Sequence, residues 1–280
     1  MSQLNELDDR LAMGGTFMAR TPKKETDDKA SWYGLKSGLE MRLYGFHTCF
    51  SVFKSRPGDI VRVYVTDRKL KAAAAILKYC AEHKRAYHIV TEEDLANIVS
   101  SVHHEGIAMV VKRRKALTDF DFLKAIQNQP AQSIIYLDGV SNPHNLGAIM
   151  RTLAHFGLKW IIGGKESLPE LSPSAARTSE GASELVQLVS LNQPIAILKE
   201  LKSLGWEIIG TSSHHQKSYK SWTPKKKTVL ILGSETSGIS DEIHKLCDLN
   251  VSIDGTGAVE SLNVSVAMGI FAAQLSQGNF

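Results

Sequence analysis

Three short stretches hold the side chains that could do chemistry. In the first, Asn145, Gly147 and Arg151 are spaced as Asn-x-Gly-x-x-x-Arg within DGVSNPHNLGAIMRTLAHFG, residues 138–157. In the second, Gly233, Glu235 and Gly238 read Gly-x-Glu-x-x-Gly. In the third, Gly255 and Gly257 precede Glu260-Ser261-Leu262-Asn263. A guanidinium stays protonated at neutral pH and is a poor base, but it can hold phosphate in a two-pronged fork and stabilise a developing alkoxide. Glu235 could orient that arginine or accept a proton. The glycines permit backbone angles that a Cβ forbids and let another molecule approach the main chain. Ser261 or Asn263 is suited to cap a helix, whose first N–H groups are free for an electron-rich ligand.

Each stretch reads as strand, polar glycine-bearing turn, then helix. The strands are predicted at Ser133–Leu137, Val229–Leu232 and Val251–Ile253. Asn145 is expected to cap a helix running through Ala148, Ile149, Leu153 and Phe156. Between these corners the pattern predicts strands at Lys159–Gly163, Leu185–Leu191 and Trp206–Thr211, and a helix over Ile195–Leu204. Thr211 falls at a strand end, where open α/β sheets place ligands.

Residues 41–113 read as a second, smaller α/β domain. Helices are predicted over Phe46–Lys54, Leu70–His83 and Glu92–Val99, the last capped by Thr91 with acids behind it. Strands are predicted over Asp59–Val65, Ala86–Val90 and Ile107–Val111. A connector over 114–130 holds a helix, Asp119–Gln127, stopped by Pro130, and the chemistry-bearing domain spans 131–280. Residues 1–40 lack periodicity and read as a mobile arm with room for one short helix.

Composition excludes several classes. A hydrophobic fraction of 43% and a charged fraction of 22% are those of a globular protein, and no apolar run reaches a membrane span. The first residues carry acids where a secretory signal has bases, so a cytoplasmic protein is expected. Cys49, Cys80 and Cys247 are scattered, and His214-His215 has no second cluster at ligand spacing, so no metal is expected. Net charge is +4 overall, but residues 41–130 hold 15 Lys/Arg against 9 Asp/Glu, which marks that section for a polyanion. Lys225-Lys226-Lys227 reads as a solvated run, with an RNA contact as the lesser option. A phosphate-binding loop at Gly233–Gly238 fails because Ile239 stands where its lysine belongs. A dinucleotide fingerprint at Gly255-x-Gly257 fails because Glu260 replaces the third glycine.

Together the three stretches resemble the motifs of the SpoU/TrmH-type 2′-O-ribose RNA methyltransferases of the SPOUT superfamily. Tyr44-Gly45-Phe46-His47 and His103-His104-Glu105-Gly106-Ile107 resemble signatures of the RNA-binding domain often attached to them. Two departures stand out: Glu105, where relatives usually carry glutamine, and Asp254, where many carry proline. The resemblance implies an α/β SPOUT domain with a deep trefoil knot behind a small α/β RNA-binding domain. It implies S-adenosylmethionine as cofactor, held largely by backbone around Thr211, Gly233, Ile253 and Leu262. Arg151, Glu235, Asn145, Ser261 and Asn263 would form the catalytic site, with Arg151 acting on the ribose 2′-hydroxyl. Residues 169–184 would lie near the substrate, and Arg177 could help grip RNA. It also implies a homodimer and an RNA substrate, ribosomal RNA being favoured over transfer RNA. A knotted RNA-binding protein without turnover is the alternative.

Overall fold

The computed structural model describes residues 34–127, 132–213 and 217–277. Residues 1–33 of the arm expected over 1–40, Pro130 and the His214-His215 pair lie outside the described residues. Leu35–Phe280 cluster into one compact unit that contains two sheets.

The first sheet builds the small domain. In chain order its elements are β1 (Glu40–Tyr44), α1 (Phe46–Ser55), β2 (Ile60–Val65), α2 (Ala74–Glu82), β3 (Ala86–Ile89), α3 (Glu92–Val99) and β4 (Ile107–Lys112). The strand order is β1-β4-β2-β3, antiparallel except for β2 with β3. Met41, Leu43, Val63, Val65, Met109 and Val111 alternate along their strands and are buried in one core with α1 and α2. Thr91 Oγ1 caps α3 by accepting the Asp94 N–H at 3.0 Å, as expected. Two expectations differ. Strand β1 begins where the arm was expected to end, and α2 starts at Ala74 rather than Leu70. Ahead of α2, Asp67–Lys69 wind as a 3-10 turn that takes the Leu70 N–H onto Asp67 O.

The connector helix α4 (Asp119–Gln127) leads into the second sheet. Its elements are β5 (Gln132–Asp138), α5 (Pro143–His155), β6 (Trp160–Gly164), α6 (Pro173–Thr178), β7 (Gln187–Leu191), α7 (Pro194–Ser203), β8 (Glu207–Ser212), β9 (Lys217–Ser218), β10 (Lys227–Gly233), α8 (Asp241–His244), β11 (Leu249–Ser252) and α9 (Val264–Leu275). Seven strands lie in the order β7-β6-β5-β10-β8-β11-β9, all parallel. Both faces are buried, which is why the strands read as continuous apolar runs. Ile134 and Tyr136 of β5, with Val229 and Ile231 of β10, face α4 and α7. Ile135 and Leu137, with Leu230 and Leu232, face α5 and α9. Each such fully buried side chain contributes about 1.5–3 kcal/mol relative to an exposed one.

Strand β10 was laid down after β8 yet lies between β5 and β8. The C-terminal ends of β5, β10, β8 and β11 are therefore neighbours, although up to about a hundred residues separate them in sequence. The three cysteines are free, and burial pushes the Cys80 and Cys247 thiols up to about 11 and Cys49 higher still. No helix among the described residues is long and apolar enough to cross a membrane.

Candidate active site

Three side chains, one from each of the three corners, meet at the strand ends. Asn145 donates through Nδ2 to Glu235 Oε1 at 3.0 Å. Asn263 donates through Nδ2 to the same Glu235 oxygen at 3.0 Å and to Asn145 Oδ1 at 3.1 Å. The amide orientations follow from one fixed donor. The Ser265 backbone N–H can only donate, and it points at Asn263 Oδ1 at 2.9 Å. Asn263 must therefore turn its Nδ2 toward Asn145 and Glu235, and Asn145 in turn must present Oδ1 to Asn263 and Nδ2 to Glu235.

Local sequence explains each position. Asn263 is the N-cap of α9, so its backbone is held at the helix start. Asn145 is not the cap of α5, contrary to expectation. Asn142 is, accepting the His144 N–H at 2.9 Å, with Pro143 at the first helical position. The shift of the cap by three residues puts Asn145 inside the first turn and frees its side chain for Glu235. Gly147 allows α6 to approach: a Cβ there would meet Ala175 O at 2.5 Å and Thr178 Cβ at 2.7 Å.

Glu235 sits in a closed turn. Ser234 and Gly238 exchange both backbone hydrogen bonds at 3.0 Å, folding residues 234–238 back over Gly233. A Cβ on Gly233 would lie 2.2 Å from Gly238 C and 2.4 Å from Ile239 N, both backbone atoms that cannot swing aside. Gly233→Ala should therefore open the turn. We expect it to cost about 1–3 kcal/mol as an overpacking change and to weaken ligand binding at the strand ends, checked by thermal denaturation and calorimetry. Asp138, at the end of β5, braces the next segment by accepting the Ser240 N–H at 2.7 Å. Asp138, Asn142 and Ser265 are the residues that motif reading passed over; their short polar side chains beside helix starts were the available signal.

The other expected site residues divide. Thr211 and Gly233 lie just past the ladder pair of Ile231 with Gly210, and Thr211 pairs with Val251 two residues before Ile253. The Thr211 hydroxyl donates to Ile231 O at 2.9 Å, so what it can offer a ligand is main chain. Ile253 is partly buried against the core, while Leu262 is 43% exposed. Ser261 lies in the same exposed loop and is not drawn into the cluster. Arg151 is exposed on α5 and makes no hydrogen bond or ion pair among the described residues. Glu235 does not orient Arg151: its hydrogen bonds go to the two asparagines. Arg151 lies six positions after Asn145, which turns them about 120° apart around the helix.

A model of the SpoU rRNA Methylase family matches residues 132–273, and one described as RNA 2′-O ribose methyltransferase substrate binding matches residues 42–117. The chain belongs to the SpoU rRNA methylase family. The uncharacterized tRNA/rRNA methyltransferase YfiF of Escherichia coli O157:H7 is 34% identical, over 92% of this chain and 77% of its own length. The 23S rRNA (guanosine-2′-O-)-methyltransferase RlmB of Nitrosomonas europaea is 33% identical, over 81% of this chain and 88% of its own. Among solved structures, the SpoU methyltransferase AviRb of Streptomyces viridochromogenes, in complex with the cofactor AdoMet, superposes with a TM-score of 0.72 at 18% identity, covering 89% of this chain and 96% of that one. That likeness is one of fold.

Within this SpoU chain both departures have structural partners. Asp254 accepts a hydrogen bond from Ser218 Oγ in β9. Glu105 accepts the Phe46 N–H at 2.8 Å and pairs with Arg177. Arg177 is thus engaged inside the protein rather than presented to RNA, and residues 173–184 pack on α1, with Thr48 Oγ1 on Ala176 O at 3.1 Å and Ser51 Oγ on Gly181 O at 2.9 Å. The small-domain signatures separate as well. Tyr44 and His104 are buried, and His47 and His103 are exposed. His104 Nδ1 accepts the Gly106 N–H at 3.1 Å, and burial holds its imidazole below the usual range. The basic section is also partly neutralised internally: Arg68 pairs with Glu92, Arg113 with Glu170, and Arg56 and Arg114 with Glu184.

Proposed function

We propose that this SpoU-family protein is an S-adenosylmethionine-dependent RNA methyltransferase acting on a ribose 2′-hydroxyl, in ribosomal RNA, in the cytoplasm. The observation that carries the reading is the junction of Asn145, Glu235 and Asn263 at the ends of parallel strands. The names of its relatives point to ribosomal RNA. We take residues 41–113 as the RNA-binding domain, 114–130 as linker and 131–280 as the methyltransferase domain. We also infer the trefoil knot; what supports it is the strand order, with β10 inserted between two strands already in place.

The residues at the strand ends fit an adenosine-bearing sulfonium. Main chain around Thr211 and Gly233 offers hydrogen bonds, and Ile253 and Leu262 offer apolar surface for a flat ring. The bound cofactor supplies an electrophilic methyl on a sulfur that leaves neutral, a displacement that calls for no metal. The Asn145–Glu235–Asn263 junction holds three loops in one place, which favours an in-line arrangement of acceptor and methyl. Arg151 would grip phosphate and stabilise the oxygen as its proton leaves. Its position away from the junction, exposed and without a hydrogen bond or ion pair among the described residues, supports a homodimer in which a second copy completes the site. Helix α9 supports it too, since it is apolar all round yet leaves Val266 53% exposed, and Val259 in the preceding loop is 73% exposed.

The hub role of Glu235 separates from a proton-accepting role in one substitution. Both asparagines donate to Oε1 alone, so Glu235→Gln can keep both bonds through its amide oxygen. We expect Glu235→Gln to retain cofactor affinity and most of its transfer rate. Glu235→Ala should lose about 1–2 kcal/mol of stability, because Asn145 is left buried with a donor unpaired. Melting curves and single-turnover transfer distinguish them, and an inactive but well-folded Glu235→Gln would return proton transfer to Glu235.

The functional test is direct. Purified protein with labelled S-adenosylmethionine and total RNA should label ribosomal RNA, and mass spectrometry should place the mark on a ribose 2′-oxygen. Cofactor binding without transfer would favour a silent RNA-binding protein. The two departures that would favour it, Glu105 and Asp254, each have a structural partner.

A further inference from the structure

Two signatures of the small domain converge on one guanidinium from the other half of the chain. Arg177, in α6, donates through Nη2 to Glu105 Oε1 at 2.5 Å and through Nε to His103 O at 3.2 Å, and its Nη1 pairs with Glu180. Its Cδ would lie 2.3 Å from a Cβ placed on Gly45. The second oxygen of Glu105 accepts the N–H of Phe46, the first residue of α1, where the N-cap Gly45 has no side chain to offer. Tyr44-Gly45-Phe46-His47 and His103-His104-Glu105-Gly106 therefore share a structural task, which is to enclose Arg177.

The next residue, Thr178, faces α5. Thr178 Oγ1 lies 3.4 Å from His144 Nδ1, and Thr178 with Ala175 O fills the space above Gly147. His144 and Gly147 flank Asn145, a member of the three-residue junction. A continuous line of contacts thus runs from both small-domain signatures, through six residues of α6, to the first turn of α5. The ion pairs along it are partly buried, with side-chain exposures of 22% for Arg177, 34% for Glu105 and 24% for Glu180, so solvent screens them less than a surface pair. A guanidinium offers its donors in a rigid fork, so two carboxylates and a carbonyl fix its angle as well as its place.

We propose that Arg177 is a positioning residue, setting the first turn of α5, and Asn145 with it, relative to the domain that holds RNA. The proposal rests on the functional reading only in taking RNA as the molecule held there. A misplacement of about 1 Å between bound substrate and reacting groups can cost about a hundredfold in rate. Binding on either side of the clamp need not change. A purely structural contact would instead lower stability and both affinities together.

The test uses the full chain. Arg177→Met should speed amide hydrogen exchange at two separated places at once, residues 46–50 and residues 146–150, with β5 and β10 unchanged. On an RNA that the native protein methylates, kcat should fall by about tenfold or more while the Kd values for RNA and S-adenosylmethionine stay within about twofold. Arg177→Lys keeps the charge without the fork and should restore little of kcat. Should Arg177→Met fail to fold, Glu105→Gln keeps the Phe46 cap, removes the ion pair and should show the same pattern more weakly. Exchange that rises only in the small domain, or a folded Arg177→Met with native kcat, would overturn the proposal. If the native protein methylates no RNA, the functional reading fails, and the exchange experiment still decides the coupling.

Discussion

Arg151→Ala should abolish methyl transfer while leaving the protein folded and the cofactor bound. Arg151 is exposed and has no partner among the described residues, so its loss should change stability by no more than about 0.5 kcal/mol. Its charge could meet a developing alkoxide or a phosphate. Removing one such donor costs about a hundred- to thousandfold in kcat in other enzymes. Arg151→Lys should recover only part of this, because an ammonium cannot grip two oxygens in parallel. Single-turnover transfer with calorimetric titration of S-adenosylmethionine checks both halves. Equal loss of rate and cofactor affinity would mean that the role assigned to Arg151 is wrong.

Glu184→Ala should be the most damaging change to stability. The Glu184 side chain is 1% exposed and receives Arg56 in a two-pronged grip, Nε at 2.8 Å and Nη2 at 3.0 Å, together with Arg114 and Ser55 Oγ at 3.0 Å. Deleting it leaves two guanidinium groups facing each other at a partly buried place, with side-chain exposures of 13% for Arg56 and 33% for Arg114. Breaking a buried pair in this way costs about 3–5 kcal/mol, toward the low end here because the Arg114 side chain is 33% exposed. For a chain of this size that is about 6–15 °C in Tm. The pH dependence follows from the same contacts. Burial alone would raise the Glu184 carboxyl, but the Arg56 hydrogen bond and the charges of Arg114 and Arg56 outweigh it and hold it below the ordinary value. A carboxyl depressed in the folded state contributes its full stability above its unfolded pKa, about 4.3, and loses it as pH falls through the folded value. Denaturation followed from pH 7 downward should therefore show a stability loss in acid that is reduced in Glu184→Gln. A variant that keeps the native acid profile would exclude this cluster as its source.

Helix and strand placement was legible wherever a pattern was strong. The helices over Glu92–Val99 and Asp119–Gln127 lie where periodicity and caps put them. The ends of α2 and α5 were less legible, because a 3-10 turn and a cap three residues upstream compete locally with equal claims on the same N–H groups. Charge was the least legible quantity. The excess of basic residues over 41–130 reads as a surface for polyanions, yet Arg56, Arg68, Arg113 and Arg114 are committed to carboxylates, two of which, Glu170 and Glu184, lie outside that section. A count of charges carries no information about which of them meet.

From the sequence alone came most of the order of elements, though not β1, α6 or β9, together with the family and the identity of the three corners, because each of these depends on residue types a few positions apart. Tertiary structure decided the rest. Inserting β10 between β5 and β8 brings Asn145, Glu235 and Asn263 within hydrogen-bonding distance, turns Glu235 from a partner of Arg151 into the hub of two amides, and leaves Arg151 facing outward. Packing α6 against α1 converts Arg177 from a candidate RNA contact into an internal clamp. Side-chain roles of this kind depend on distances between residues about thirty to a hundred and twenty positions apart, and local propensity carries no record of those.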